Sequence, residues 1–124
     1  MDKLQFIADQ MAALDIPYEF MEWTSAVTYP YFVGEFSETE PISEDGAETS
    51  TLLLTGFHRG QYADILEIKE KLKRHFDPIY GVRAQTEHGS IAVFYSSAFF
   101  VPSGEADLKK IQINFSLKEW RNNE

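Results

Sequence analysis

The chain of 124 residues contains no cysteine, which excludes disulfide bonds and thiolate metal sites. No apolar run approaches the ~18 residues that a membrane-spanning helix needs. The N-terminus, MDKLQFIADQM, has acids and a helical period instead of the basic and apolar regions of a signal peptide. Glycines occur singly, so no phosphate-binding loop is present. These absences favour a cytoplasmic protein.

Catalytic and metal-ligand patterns are also missing from the sequence. His58, His75 and His88 fall on three different predicted elements, and none shares its element with a second histidine or an acid at ligand spacing. No serine lies in a G-x-S-x-G or S-x-x-K context. We therefore predict that the protein is not an enzyme and that it holds no metal and no cofactor.

Negative charge is concentrated in one half of the chain. Residues 1–60 contain 11 acids and two bases, whereas residues 61–124 contain nine of each, and the formal net charge is −9. An acidic surface repels phosphate, so nucleic-acid binding through a basic patch is not expected. The excess is typical of a solubilising surface, or of one that meets a basic partner or lines a passage for DNA.

Apolar residues at steps of three and four predict two amphipathic helices, over about 2–14 and 61–76. Alternation predicts six strands, near 18–23, 29–36, 51–58, 82–86, 91–101 and 110–120. Pro30 is placed at an edge or a strand entrance, Gly34 at a bulge, and a bend is predicted near 96–98. The order α-β-β-β-α-β-β-β predicts one α+β domain over 1–124, a mostly antiparallel sheet flanked by two helices that cover its apolar face.

An acidic segment between the second and third strands is predicted to be a mobile loop over about 37–50. It contains Pro41 and the turn dipeptide Asp45–Gly46. Its acids, candidate interaction residues, are Glu38, Glu40, Glu44, Asp45 and Glu48. They lack the spacing of a calcium loop, so a solvated loop or a partner-docking or lumen-lining arm is favoured over a metal site.

Aromatic residues supply the other candidate interaction surface. Tyr29 and Tyr31 share one predicted strand face, where they serve as core packing or, if exposed, as interface residues. The chain has 10 phenylalanines and six tyrosines, more than one core of this size readily hides. The excess favours association between subunits.

The element order, together with several segments, resembles the small tail-terminator and tail-completion proteins of long-tailed bacteriophages and prophages. The segments are YPYFVGEF (29–36), the acidic arm with its Asp–Gly pair, TLLLTGF (51–57), ADILEIKEKLKRHF (63–76) and the final strand. The similarity covers nearly the whole chain and is one of pattern, length and element order. It implies an α+β subunit that assembles into a ring, commonly a hexamer, which caps the tail tube and stops its polymerisation.

The resemblance also implies partners and a location. The partners are further copies of the chain, the tail tube protein and the head–tail connector, with DNA only as passing cargo and no membrane. The location is the virion, or the host cytoplasm during assembly. Two alternatives remain from the residues: an acidic inhibitor that mimics DNA with the same carboxylates, and an enzyme or ligand-binding domain, for which the sequence offers no convergent polar residues.

Overall fold

The structure, a computed structural model, describes residues 2–42, 46–87 and 89–121, and for 38–42 it describes the backbone alone. Over these described residues the chain is α+β, as predicted, with two helices and a six-stranded sheet. The elements are α1 (Lys3–Ala13), β1 (Tyr18–Phe20), β2 (Tyr31–Ile42), β3 (Ala47–His58), α2 (Tyr62–His75), β4 (Val82–Thr86), β5 (Gly89–Val101) and β6 (Lys109–Arg121). Among the described residues, no helix combines the length and the apolar character that crossing a membrane requires.

The sheet is curled and mostly antiparallel, with the strand order β1-β2-β3-β6-β5-β4. Only β1 and β2 pair in parallel. The central pair, β3 and β6, runs in register from Ala47 opposite Trp120 to His58 opposite Lys109. Four long strands therefore form the middle of the sheet, and two short strands lie at its edges.

One hydrophobic core holds both helices against one face of the sheet. Its fully buried members include Ile7 and Met11 of α1, Ile65 and Leu72 of α2, and Phe115 of β6. In the described residues the opposite face carries no helix. The predicted flanking by two helices is thus one-sided, which is how two amphipathic helices bury a single apolar sheet face.

Local sequence accounts for where the helices begin and how they meet. Asp2 caps α1, because its Oδ1 accepts a hydrogen bond of 2.9 Å from the Gln5 N–H. The late bases of α2 complement its dipole and reach α1 as well. Lys71 Nζ donates to the Leu14 carbonyl, and His75 Nε2 lies 2.6 Å from Gln10 Oε1. The two helices are therefore joined by polar contacts in addition to the core.

Two sequence-based predictions need correction. Most of the predicted loop over 37–50 is strand, because β2 continues to Ile42 and β3 begins at Ala47. The polar composition is overridden by pairing, since β3 is held by β6 along its whole length. Gly34 is not at a bulge, as its pairing is regular, and a Cβ there would lie 2.6 Å from the Tyr18 ring. The predicted bend in the fifth strand is confirmed as a register shift between Tyr95 and Ser97.

Candidate functional site

The predicted pair Tyr29 and Tyr31 belongs to an aromatic cluster on the helix-free face of the sheet. The Tyr31 ring stacks on Phe57 at 5.0 Å between centroids and lies 4.9 Å from Trp23 and 5.7 Å from Tyr29. Burial raises the pKa of Tyr31, with Tyr29 adding to the shift. Tyr31 therefore packs within the cluster, whereas Tyr29, which is 39% exposed, is accessible to solvent.

Arg59 fixes Tyr29 from the other side and joins three connections at one end of the sheet. Its Nη1 and Nη2 atoms each lie 2.6 Å from a carboxylate, of Asp107 and Glu105 respectively, and its Nε donates to Tyr29 Oη at 3.1 Å. These hydrogen bonds, the one donated to Glu105 foremost, raise the pKa of the guanidinium. A planar fork suits this simultaneous contact with two carboxylates, which a lysine would not reproduce.

Glu19 organises the connection that follows β1. Its carboxylate accepts hydrogen bonds from the Thr24 N–H at 2.9 Å, the Thr24 hydroxyl at 2.7 Å and the Ser25 N–H at 3.3 Å. Hydrogen bonding by Ser25 and Thr24 lowers the pKa of Glu19 to about 2. This acid of the negative half thus has a structural role in positioning the segment that carries Trp23 and Tyr29.

The structure describes only some of the predicted acidic interaction residues. Glu44 and Asp45 lie outside the described residues, as do the side chains of Glu38 and Glu40, although the backbone of both lies in β2. Glu48 belongs to β3, where its Oε2 lies 3.7 Å from Arg121 Nη2.

The two predicted groups of interaction residues are not brought together. Tyr31 pairs with Phe57 at one end of the β2–β3 hairpin, and Glu48 pairs with Ile42 at the other. At ~3.3 Å per residue, the two ends are roughly 30 Å apart. The acidic residues and the tyrosines therefore cannot form a single compact site.

A contact that the sequence did not reveal joins the end of β3 to the start of α2. His58, buried, places its Nε2 2.9 Å from Asp64 Oδ2, and that oxygen also accepts from the Gln61 N–H at 3.1 Å. Both bonds, that to His58 foremost, lower the pKa of Asp64. A Cβ on Gly60 would lie 2.2 Å from His58 Nε2, so the contact depends on glycine there. The missed signal was an acid three residues after a helix cap.

Among the described residues, no third potential metal ligand joins His58 and Asp64. The His58 Nδ1 atom is buried with no hydrogen-bond partner in the described part of the chain. No group of three or more potential metal ligands occurs in residues 2–42, 46–87 and 89–121. Of the other histidines, His75 contacts Gln10 and has a pKa lowered by burial, and His88 lies outside the described residues.

The α2–β4 connection presents the two most exposed large hydrophobic side chains of the described residues. Ile79 is 75% exposed and Tyr80 is 74% exposed. Asp77 holds their backbone, since its Oδ1 accepts hydrogen bonds from the Ile79 N–H at 2.8 Å and the Tyr80 N–H at 2.9 Å. Those two bonds lower the pKa of Asp77. The pair is therefore displayed on an ordered turn.

A shallow depression lies at the β4 edge of the sheet. Its polar lining comes from Arg83, Gln85 and Ser90, beside Trp120. It is open to solvent, and none of the described residues that line it carries a carboxylate.

Comparison with known proteins does not supply a family: no family model matches the chain, and no curated protein matches it significantly. Function is therefore inferred from the surfaces described above.

Proposed function

We propose that the protein is a tail-terminator or tail-completion subunit of a long-tailed phage or prophage, which joins copies of itself into a ring. The ring caps the tail tube and docks to the head connector, in the virion or in the host cytoplasm during assembly. One observation carries the proposal. With the exception of Leu4 in α1, the exposed large hydrophobic side chains among the described residues form two groups, one at the β1 edge of the sheet and one at the β4 edge.

The first group lies in β1 and its connection to β2, and comprises Phe20, Met21, Val27 and Tyr29. The second lies on α2, the α2–β4 connection and β5, and comprises Tyr62, Leu66, Ile79, Tyr80, Phe99 and Phe100. Within the second group the Tyr62 and Phe100 rings meet edge to face at 5.0 Å, so helix and strand contribute to one surface. Both edges of the sheet therefore carry apolar surface that is suited to burial against a partner.

The two groups differ in sequence and in the elements that carry them, which favours contact of one edge of the sheet with the other edge of a second copy. A contact between unlike surfaces is heterologous, and repeated heterologous contacts close into a ring when the rotation between copies permits. A ring subunit requires two such surfaces, and here they lie at opposite edges of one sheet. A monomeric enzyme has no need of them.

The charge of the first half is consistent with DNA as passing cargo. Its exposed and described carboxylates are Asp2, Asp9, Asp15, Glu22 and Glu35. Carboxylates around a channel would repel the phosphate backbone, so that DNA would pass through the ring without binding to it. The tail tube protein and the connector are the further partners that this proposal requires.

The first test is the molar mass in solution by light scattering over a wide concentration range, with negative-stain images of the largest species. We expect closed rings, either for the protein alone or after addition of tail tubes assembled from the tube protein of the same phage. A strict monomer under both conditions would overturn the proposal.

A second test concerns three of the predicted acidic interaction residues. Glu38, Glu40 and Glu44 changed together to lysine should impair ring assembly or DNA passage, since three acids of the negatively charged half become bases. Glu67→Lys, on the exposed side of α2, is the control for a general effect of added positive charge. Tail joining at the normal level in the triple variant would contradict the role given to these carboxylates.

The acid excess supports one alternative, an inhibitor that presents carboxylates in the manner of DNA. Such a protein would bind a nuclease or a repressor tightly, and the same lysine reversals would abolish that binding. It would remain monomeric when free, so the light-scattering measurement distinguishes it from the ring subunit.

A further inference from the structure

The edge strands of the sheet are much shorter than the strands they cover. β1 pairs with β2 only from Phe32 to Gly34, so the outer side of β2 from Glu35 to Ile42 has no neighbouring strand in the described residues. β4 pairs with β5 only from Gly89 to Val93, and beyond it the Tyr95 N–H donates to the Phe76 carbonyl at 2.7 Å, so the stretch 96–101 has no neighbouring strand on that side in the described residues. Each edge thus has a projecting strand and, beside it, a recess.

The register of the sheet shows that the projections and recesses are at opposite levels. Counted across the four long strands, one set of paired residues is Phe32, Gly56, Ile111 and Phe100. Since Phe32 pairs with Tyr18, β1 is level with the recess beside β5. A second set is Glu38, Ser50, Leu117 and Val93. Since Val93 pairs with Val82, β4 is level with the recess beside β2.

We propose that a second copy of the chain occupies these recesses, so that the sheet continues from one copy into the next. β1 of one copy lies along 96–101 of its neighbour, and β4 of that neighbour lies along Glu35–Ile42 of the first. The steps match because each projection is level with the recess that receives it. The contact rests on the proposed function for the closure of a ring, but its geometry follows from the register alone.

Strand direction permits both new pairings. β1 runs with β2, and three successive antiparallel pairings separate β2 from β5, so β1 would add to β5 of the neighbour antiparallel. β4 runs opposite to β5 and would add to β2 in parallel. Main-chain hydrogen bonds would then join each recess to the strand that occupies it.

Side-chain chemistry favours the same pairing. The recess beside β5 has the sequence SSAFFV, with no charge, and it would receive β1 and the residue that follows it, where Phe20 and Met21 are exposed. Natural edge strands usually carry a lysine or another charge that discourages pairing, and this one does not. At the other level, Arg83 of β4 is exposed and lies on the same row as Glu40. The neighbour's β2 therefore offers an acid where β4 offers a base.

The absence of cysteine makes a disulfide test clean. Met21, directly after β1, and Ser97, in the recess beside β5, are both exposed and would approach each other only between copies. We expect Met21→Cys and Ser97→Cys proteins, mixed and oxidised, to form covalent dimers between unlike variants, since a disulfide needs Cα atoms within about 7 Å. Either variant alone should stay uncrosslinked, because a head-to-tail contact does not bring like positions together.

The outcomes separate this inference from the proposed function. Rings that form without crosslinking of the mixture would overturn the stepped contact and leave the ring subunit standing. Dimers formed as readily by one variant alone would also overturn it, since they indicate a two-fold contact. Covalent dimers from the mixture, with Met21→Cys and Glu67→Cys uncrosslinked as the control pair, would support it even if no tail partner is found.

A charge exchange tests the second half of the contact. Arg83→Glu or Glu40→Arg alone should weaken self-association at least about tenfold, because like charges then meet at one level. The two changes in one chain should restore it, since each contact regains opposite charges. Single variants that associate normally, or a double variant that stays as weak as the singles while its circular dichroism is native, would overturn the register.

Discussion

The two halves of the chain repeat one plan and differ in what they place at the edge of the sheet. Residues 3–58 and 62–121 each contain one helix followed by three strands, and the strand order β1-β2-β3-β6-β5-β4 is unchanged when the halves are exchanged. In the first half, however, the edge strand pairs in parallel and the charge is strongly negative. In the second half the edge strand pairs antiparallel and the charge is balanced.

Under the proposed function, that difference would decide which assemblies form. With two identical edges, copies would meet equally well in two-fold or head-to-tail arrangements. Unlike edges favour one direction of association, as mismatched charge disfavours the others. The element order that the halves share therefore accounts for the common sheet, and the difference between β1 and β4 makes its two edges unlike.

The largest effect is expected from breaking the core that both halves share. Phe115 of β6 is fully buried and contacts Phe76 and Tyr95 at 5.2 and 6.0 Å between ring centroids. Phe115→Ala should lower the free energy of unfolding by about 3–5 kcal/mol, measured by urea denaturation. Phe36→Ala is the matched control, because Phe36 lies on the same row near the first edge but is only half-buried. Equal losses would contradict the one-core description.

A smaller effect should come from displacing β1 alone. Gly34→Ala forces the Tyr18 ring away, since the new Cβ would lie 2.6 Å from it, and should cost about 1–3 kcal/mol in urea denaturation. Burial raises the pKa of Tyr18 to about 12, so its spectroscopic titration should move back toward 10. Ser37→Ala, exposed in the same strand, should leave both quantities unchanged. An unshifted Tyr18 titration in Gly34→Ala would show that the ring has not moved.

The smallest effect concerns pH and the connection that follows β1. The pKa of Glu19 is lowered from 4.5 to about 2, so its ionised form stabilises the fold above pH 4.5 and this stabilisation is lost as pH falls toward 2. The melting temperature of the native protein should exceed that of Glu19→Gln at pH 6, with the difference shrinking below pH 4.5. Glu22→Gln should show no such trend, and a pH-independent difference for Glu19→Gln would refute this account.

Sequence patterns predicted the elements best where local and tertiary preferences agree. The 82–86 strand and the helix over about 61–76 appear as Val82–Thr86 and Tyr62–His75, the latter with acids early and bases late. The prediction of a loop over 37–50 was wrong. Pro41 and the acids of this segment indicate a loop, but the pairing of β3 with β6 extends the β2–β3 hairpin. Pairing partners some 70 residues away cannot be read from the segment itself.

The candidate surfaces show the same limit. The closeness of Tyr29 and Tyr31 follows from their spacing, but their contacts with Phe57 and Arg59 depend on strand register and on a loop from elsewhere. The step between the edge strands is harder still to predict from sequence, because it depends on five strand pairings at once. No single segment carries it.

The turn at Asp77 has a consequence for the kinetics of any association at that end of the sheet. The Asp77 carboxylate holds the backbone N–H groups of Ile79 and Tyr80 before a partner arrives, so little backbone conformational entropy remains to be lost when the two side chains are buried. A contact made by such a preordered pair gains its affinity mainly as a long residence time. Copies that meet through it would separate slowly.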